Sequence, residues 1–357
     1  MSRYGLETQI DLQMETAKMP GANISDVAAL AGVSETTVSH AITGRRPVSA
    51  KTHAKVQAAI AELGYRPNRL ASGLRSQRTH TIAIVVPNIF NPFYPAIARG
   101  VQDALYEAGY QSLICSTDGH AELEESFLAD AIDRQVDGIV FNPTRSEELP
   151  VALLASSGIP IVLMNGDASV DQPAFQQPGL DIVRSNDELG MQTAAEYLIS
   201  KGHTRIGFIN GTTVRGPARR RSEGYAKALA NAGIAFDPSI VVATSFDRDG
   251  GIDGLSRVLE VSDRPTAVLC ANDLIAIGAL DVARQRGIRV PEDLAIVGYD
   301  DIDAASLVSP ALTTVINPAR EIGQTAGALL LDRMTGKYDS HTREVSIANQ
   351  LIIRTSA

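Results

Sequence analysis

Between Ile24 and Leu63 the apolar residues recur at helical spacing. Ile24, Val27, Ala28 and Leu30-Ala31 form one stripe, and Gly32 supplies the turn residue that ends it. Ser34 is placed to cap a second short helix, in which Val38, Ala41 and Ile42 face inward. Ser49 caps a third, with Val56, Ala59, Ile60 and Leu63 on its inner side and Gly64 closing it. Three short helices within roughly forty residues predict a small bundle that buries little surface. The second helix is unusual in its outward residues. Thr36, Ser39 and His40 leave one side narrow and polar.

Arg66-Pro67-Asn68 interrupts this pattern, and Asn68 can cap a further short helix, RLASGLR, before a linker that ends at His80. The texture then changes to apolar strands alternating with helices. TIAIVV, YQSLIC, GIVFN and GIPIVLMN read as strands, with PAIARGVQDALYEAG and FLADAIDRQV as helices. The cycle restarts with the strands TRIGFIN, SIVVAT, TAVLCAND and LAIVGYD and the helices RRRSEGYAKALANAG, GLSRVLE and LIAIGALDVARQRG. Such alternation predicts an α/β body of parallel sheets covered on both faces. GVQDALYEAG, from Gly100, and GYAKALANAG, from Gly224, share Gly, Ala-Leu and Ala-Gly at matching places. That weak repeat predicts two similarly built lobes, the second beginning near Val183, with a ligand cleft at the carboxyl ends of their strands.

The domain reading follows from these changes. Residues 1–22 are expected to be a mobile leader, within which Met14 or Met19 is an alternative translation start. Residues 23–67 form the helical head, 68–80 the hinge helix and linker, and 81–357 the ligand-binding and dimerisation body. The first lobe is expected to hold residues 81–182 and 316–343, and the second 183–315 and 344–357.

Charge sharpens the division. The whole chain carries a net charge of −9, yet residues 23–80 hold eight Lys/Arg against Asp26, Glu35 and Glu62, a net of +5. A basic head on an acidic body points to separate tasks, one of them with a polyanion. With 44% hydrophobic residues, no apolar run of membrane length and no secretory leader, the expectation is a cytoplasmic protein without membrane contact. Cys115 and Cys270 lie in strand-like runs and are expected to be buried, reduced thiols; no metal site is expected.

The first two helices fit a helix-turn-helix, whose second helix enters a DNA major groove about 12 Å wide. Small hydroxyls on that helix let the backbones approach. Glu35, Thr36 and His40 are the candidate base readers, while Ser34, Thr37, Ser39 and Thr43 are placed to hold phosphates. In RLASGLR, Leu74 would serve as a wedge in a minor-groove step. In the body, Arg219-Arg220-Arg221 follows the carboxyl end of TRIGFIN, so at least one arginine is expected in the cleft. Ala271-Asn272-Asp273 and Tyr299-Asp300-Asp301 also follow strands. Asn272 and Asp300 are read as ligand contacts, and Asp273 and Asp301 as structural caps. No nucleophile or histidine stands at a catalytic spacing, and no Walker loop, GxGxxG or HExxH occurs, so no enzymatic residue and no cofactor is expected.

SDVAALAGVSETTVSHAI, VSAKTHAKVQAAIAELGYRPNRLA, the NPFY loop, AND with AIG, and VGYDD ahead of LTT together resemble the lactose-repressor and purine-repressor family of bacterial transcription regulators. The resemblance runs from Ile24 to about Ile353, in order and with normal spacing. It implies a three-helix head and hinge helix joined to a two-lobed body like periplasmic sugar-binding proteins. A homodimer on a palindromic operator follows from it. By the same resemblance Ser49 and Thr52 join the DNA-contacting residues, Asn68, Ala71 and Leu74 form the hinge helix, and His40 stands where an arginine is common. The resemblance implies effector contacts at Asn91, Phe93, Asn165, Arg221, Phe246, Asn272 and Asp300, with Arg215 at a position used by purine-binding members.

The function expected is therefore an effector-responsive regulator, a repressor, with a sugar or sugar derivative as effector and a purine or nucleoside as the alternative. Two other classes compete: a plain solute-binding protein, and an enzyme acting on a sugar in the cleft. No obvious heptad tail precedes Ala357, so a dimer is expected rather than a tetramer.

Overall fold

In the computed structural model the described residues are 22–44, 46–66, 78–144, 156–164, 179–212 and 216–357. The chain divides into two compact units after Gln77.

The first unit contains α1 (Ile24–Ala31), α2 (Glu35–Thr43) and α3 (Ala50–Leu63). Each start is fixed by a side chain that takes up free backbone N–H groups. Asn23 and Asp26 form a reciprocal capping box, and Ser34 and Ser49 accept from the amides of Thr37 and Thr52. Gly32, at φ +66°, turns the chain between the first two helices. Val27, Ala28, Ala31, Val38, Ala41, Val56 and Ala59 are buried together. This core is small and made largely of alanine and valine, as the helical spacing predicts.

The second unit is built on two six-stranded sheets. In chain order its elements are β1 (Thr81–Val86), α4 (Phe93–Leu105), β2 (Gln111–Ser116), α5 (Ala121–Asp133), β3 (Gly138–Phe141), β4 (Ile161–Met164), β5 (Leu180–Ser185), α6 (Asp187–Ser200), β6 (Ile206–Gly211), α7 (Gly216–Asn231), β7 (Val241–Thr244), α8 (Arg248–Val258), β8 (Ala267–Cys270), α9 (Asp273–Gln285), β9 (Ala295–Asp300), α10 (Asp303–Leu307), β10 (Thr313–Ile316), α11 (Ala319–Met334), β11 (Glu344–Ile347) and β12 (Gln350–Ile352). The first sheet runs β11-β5-β4-β3-β1-β2 and is wholly parallel. The second runs β12-β10-β9-β8-β6-β7, with only β12 antiparallel to its neighbour. Central strands such as Ile206–Gly211 and Ala295–Asp300 are buried along their whole length. That is why they read as continuous apolar runs.

The strand pairing corrects the lobe boundaries. β5 continues through Val183 to Ser185 beside β4, and β11 pairs with β5 from Glu344 to Ile347. Both therefore belong to the first lobe, whereas residues 183–185 and 344–347 were expected in the second. β10 and its last residue Ile316 lie in the second sheet. The chain crosses between lobes near Asn186, Asn317 and Asn349. These crossovers are tied together: Asn186 donates its amide to Ile347 O, and Asn349 donates its side-chain N–H to Ile316 O. Reading by apolar runs missed β5, β10, β11, β12, α6 and α11.

Candidate functional site

In the head, Ser34, Glu35 and Thr36 are exposed on the first turn of α2, and Thr37, Ser39 and His40 are half-buried behind them. Ser34 Oγ lies 2.9 Å from Thr37 Oγ1 as well as capping the helix, and Ser49 Oγ lies 2.8 Å from Thr52 Oγ1. These hydroxyls are thus ordered by the helix starts themselves. Glu35 accepts a hydrogen bond from Ser25 Oγ, which ties α2 to α1. His40 sits in the last turn of α2 with Nδ1 buried and without a hydrogen-bond partner among the described residues. The side chain of Thr43 and the hinge residues Asn68, Ala71 and Leu74 lie outside the described residues.

In the body, the carboxyl ends of both sheets face one cleft of about 400 Å³. Asn91, Phe93, Arg221, Phe246, Asn272 and Asp300 all line it. Asn165 and Arg215 lie outside the described residues. Tyr94, Asn142 and Thr144 line the cleft too and were not found from the sequence. The signal was available for Asn142, which directly follows the strand GIVF, and for Thr144 two residues later, much as Asn272 stands two residues beyond AVLC.

Each of these cleft-lining side chains is held by an identifiable constraint. Asn91 Oδ1 accepts the amide of Phe93, so the NPFY loop turns into α4 at the cleft wall. Phe246 overlies Gly211: a Cβ on that glycine would overlap the aromatic ring. Asn272 caps α9, accepting from the amide of Ile275 at 2.8 Å, and donates to Phe246 O at 3.2 Å. It fixes the aromatic platform as well as the helix. Asp273 is not a cap: it accepts from Thr314 Oγ1 and from the amide of Ile302, beneath the cleft. Asp301 pairs with Arg354 at 2.7 Å.

The arginine triplet separates into three roles. Arg219 is exposed and pairs with Glu223, while Arg220 is buried against Asp187. Arg221 lines the cleft, with Nη2 2.8 Å from Asp187 and 3.6 Å from Asp300. Its guanidinium lies 3.8 Å over the ring of Tyr299. Burial works against its charge, but Asp187 and Asp300 outweigh burial and hold it firmly ionised. Burial pushes the carboxyl of Asp300 up to about 6, while Arg221 and the Asn317 amide, 3.1 Å from Oδ1, pull the other way. Asp300 also has φ +108°, a strained conformation for a residue with a side chain. Burial, with Asp300 next in weight, raises the phenol of Tyr94 and keeps it neutral.

The arrangement can bind a small polar molecule on an aromatic face, between two lobes joined by three crossovers. Among the described residues there is no cluster of side chains fit to hold a metal and no helix long and apolar enough to cross a membrane. A helix-turn-helix head together with such a two-lobed body defines a ligand-responsive DNA-binding regulator.

Comparison with known proteins bears out that class. Residues 23–68 match "Bacterial regulatory proteins, lacI family", and residues 195–357 match "Periplasmic binding protein-like domain". The ribose operon repressor of Escherichia coli K12 is 38% identical over 88% of this chain and 93% of its own length. The transcriptional repressor PurR of Photobacterium profundum is 35% identical over 94% of this chain and 98% of its own. A structure of the lac repressor dimer bound to operator and the anti-inducer ONPF superposes with a TM-score of 0.82, at 27% identity, covering 94% of this chain and 98% of that one. The chain belongs to the LacI family of bacterial transcription regulators.

Proposed function

We propose that this protein is a cytoplasmic repressor that binds a palindromic operator as a homodimer and is controlled by a neutral sugar in the cleft. The observation that carries the sugar reading is the polar inventory around Phe246. One apolar ring face lies among amides, hydroxyls and carboxylates, the mixture that matches a sugar's alternating C–H and O–H surfaces. The described lining holds the carboxyl groups of Asp118, Asp247 and Asp300 against the single guanidinium of Arg221, which Asp187 already pairs. An added phosphate or carboxylate would meet net negative charge, so a neutral ligand is favoured over a sugar phosphate. Likeness to a ribose operon repressor supports the same reading, and likeness to PurR keeps a purine as its competitor.

A dimer is supported by the edge strand β2. It leaves Leu113 and Ile114 more than two-fifths exposed, at 43% and 42%. Edge strands are normally protected, and a second copy covering this one would remove both the open edge and its apolar side chains. In this reading the cleft binds its ligand and releases it unchanged.

The test is to retain sheared genomic DNA on the purified full-length protein, sequence it, and repeat the selection with candidate sugars. Enrichment of a near-palindrome that changes with one sugar is the expected result. Retention without sequence preference, or turnover of the sugar, would overturn the proposal.

A further inference from the structure

Arg78 is the first residue of the second unit, and the first lobe grips the chain there. Arg78 donates through Nη2 to Met334 O at 2.7 Å and through Nη1 to the Tyr110 hydroxyl at 3.3 Å. The carboxylate of Asp137 accepts the backbone amides of Thr79 at 2.9 Å and of His80 at 2.8 Å. His80 adopts a left-handed conformation, φ +50°, with its ring 5.3 Å from that of Tyr110. The two holds meet at one corner: Asp137 precedes Gly138, where a Cβ would press on Met334 Sδ at 2.9 Å. None of these residues lines the cleft. A mere spacer needs no such clasp.

Met334 ends α11, and its carbonyl belongs to the last turn, where helix oxygens lack helical partners and carry partial negative charge. A guanidinium suits that acceptor. The acceptor is itself fixed, because the neighbouring Arg333 is buried and bidentate on the inaccessible Asp181, at 2.7 and 3.0 Å. At its other end α11 begins two residues after Asn317. The Asn317 side chain donates to Asp300 Oδ1 on the cleft wall at 3.1 Å, and its carbonyl accepts the amide of Ala319. The 16 residues of α11 span about 24 Å. The helix is braced along that length, since a Cβ at Gly100 would collide with Arg320 O and one at Gly323 with Ile97 O. α4 and α11 therefore touch backbone to backbone, and packing this close transmits a displacement instead of absorbing it. One stiff helix has the ligand wall at one end and the root of the linker at the other.

We propose that Arg78 is a positioning residue for operator binding. By clasping Met334 O it ties the linker to α11, so that a change of lobe angle sensed at Asp300 and Asn317 reaches the DNA-binding head. Asp137 holds the next two residues and thereby sets the direction in which the linker leaves. The inference rests on the regulator reading above and adds the route by which the cleft controls DNA.

Competition binding of the full-length protein tests it, with the operator recovered in the selection above against an unrelated duplex of equal length at one salt concentration. Arg78→Met should weaken the operator about tenfold or more and the unrelated duplex by less than about threefold. Arg78→Lys keeps a donor for Met334 O and should recover most of that loss. Asn317→Ala should change operator affinity about fivefold or more in the otherwise wild-type protein, and less than about twofold in the Arg78→Met background. Independent effects at the two ends of a helix would instead add. Asp300→Asn disturbs the same contact and should show the same dependence on Arg78, which keeps the test decisive if Asn317→Ala unfolds. Equal changes in both backgrounds, wild-type operator affinity in Arg78→Met, or equal losses on operator and unrelated duplex would overturn the route while leaving the regulator reading intact. A wild type that prefers no DNA sequence would overturn both.

Discussion

Arg221 places its Nε 2.9 Å from Oδ1 of Asp187, the first residue of α6 after the chain crosses from one lobe to the other. Asp187 Oδ2 meanwhile accepts from Arg220 at 3.0 Å, so one inaccessible carboxylate pairs with two nearly buried guanidinium groups. Replacing Asp187 with alanine removes the buried carboxylate that both guanidinium groups share. The expected loss of stability is about 3–5 kcal/mol, the range for breaking a buried ion pair by removing one partner. The chain has no tryptophan, so urea unfolding followed by tyrosine fluorescence reports the change. An unchanged midpoint would show that the network contributes nothing net.

Asp300 gives the cleft a pH response. Its carboxyl titrates near 6 in the folded protein against 3.8 as the ordinary value. The folded chain therefore holds this proton to higher pH than the unfolded chain does. The group costs stability progressively as pH rises from about 4 to 6, and the cost is constant above that. A ligand hydroxyl that donates to the ionised carboxylate binds the deprotonated form. Sugar affinity should then be flat above pH of about 7 and fall as pH drops through 6, approaching tenfold per unit below. Asp300→Asn should flatten the profile. Titrations across this range that show no change would remove Asp300 from the contact set.

Phe246 and Gly211 form one unit. A methyl group at position 211 would enter the ring, so Gly211→Ala must displace Phe246 or bend the end of β6. Overpacking of this kind costs about 1–3 kcal/mol. The ligand platform should be lost with it, weakening the sugar about tenfold or more. If displacement of the ring is the cause, the double variant with Phe246→Ala should bind no worse than Phe246→Ala alone. Additive losses would point to a separate role for the glycine.

Much of this was legible in the sequence, for reasons that differ by element. The repeat around Gly100 and Gly224 proved to mark equivalent helix contacts. A Cβ at Gly100 would collide with Arg320 O of α11, and one at Gly224 with Glu188 O of α6. Each glycine lets α4 or α7 lie directly on a neighbouring helix, which is why both positions share the residue. The contact partners themselves were missed, because the buried stripes of α6 and α11 are made largely of glycine and alanine, which a search for apolar runs passes over. β11 escaped for a similar reason: it reads EVSI, short and half-exposed, at a sheet edge. Its pairing with β5 is a contact between residues some 160 positions apart, which local pattern does not encode. In the cleft, the residues alone left the arginine triplet undivided; the family resemblance singled out Arg221, and the structure places it alone of the three on the cleft wall, with Arg219 on Glu223 and Arg220 on Asp187. Asn142 was passed over because it was read as the last residue of the strand GIVFN, although it stands just past the strand's carboxyl end.

His40 tests the DNA interface. It occupies the reading helix two positions beyond the buried Val38, with Nδ1 turned into the head and unpartnered among the described residues. As a base reader His40 would use Nε2, a single contact where an arginine would reach a guanine with two. His40→Ala should weaken the preferred operator by about 1–3 kcal/mol, roughly tenfold to a hundredfold, the discrimination typical of one base contact. Binding to unrelated DNA, which depends on phosphates and the basic side chains, should change little. His40→Arg should keep affinity but shift the enriched base at one position of each half-site toward guanine. Competition binding at fixed salt, alongside operator selection with both variants, separates these outcomes. Equal losses on operator and unrelated DNA would assign His40 to the fold of the head instead of to reading.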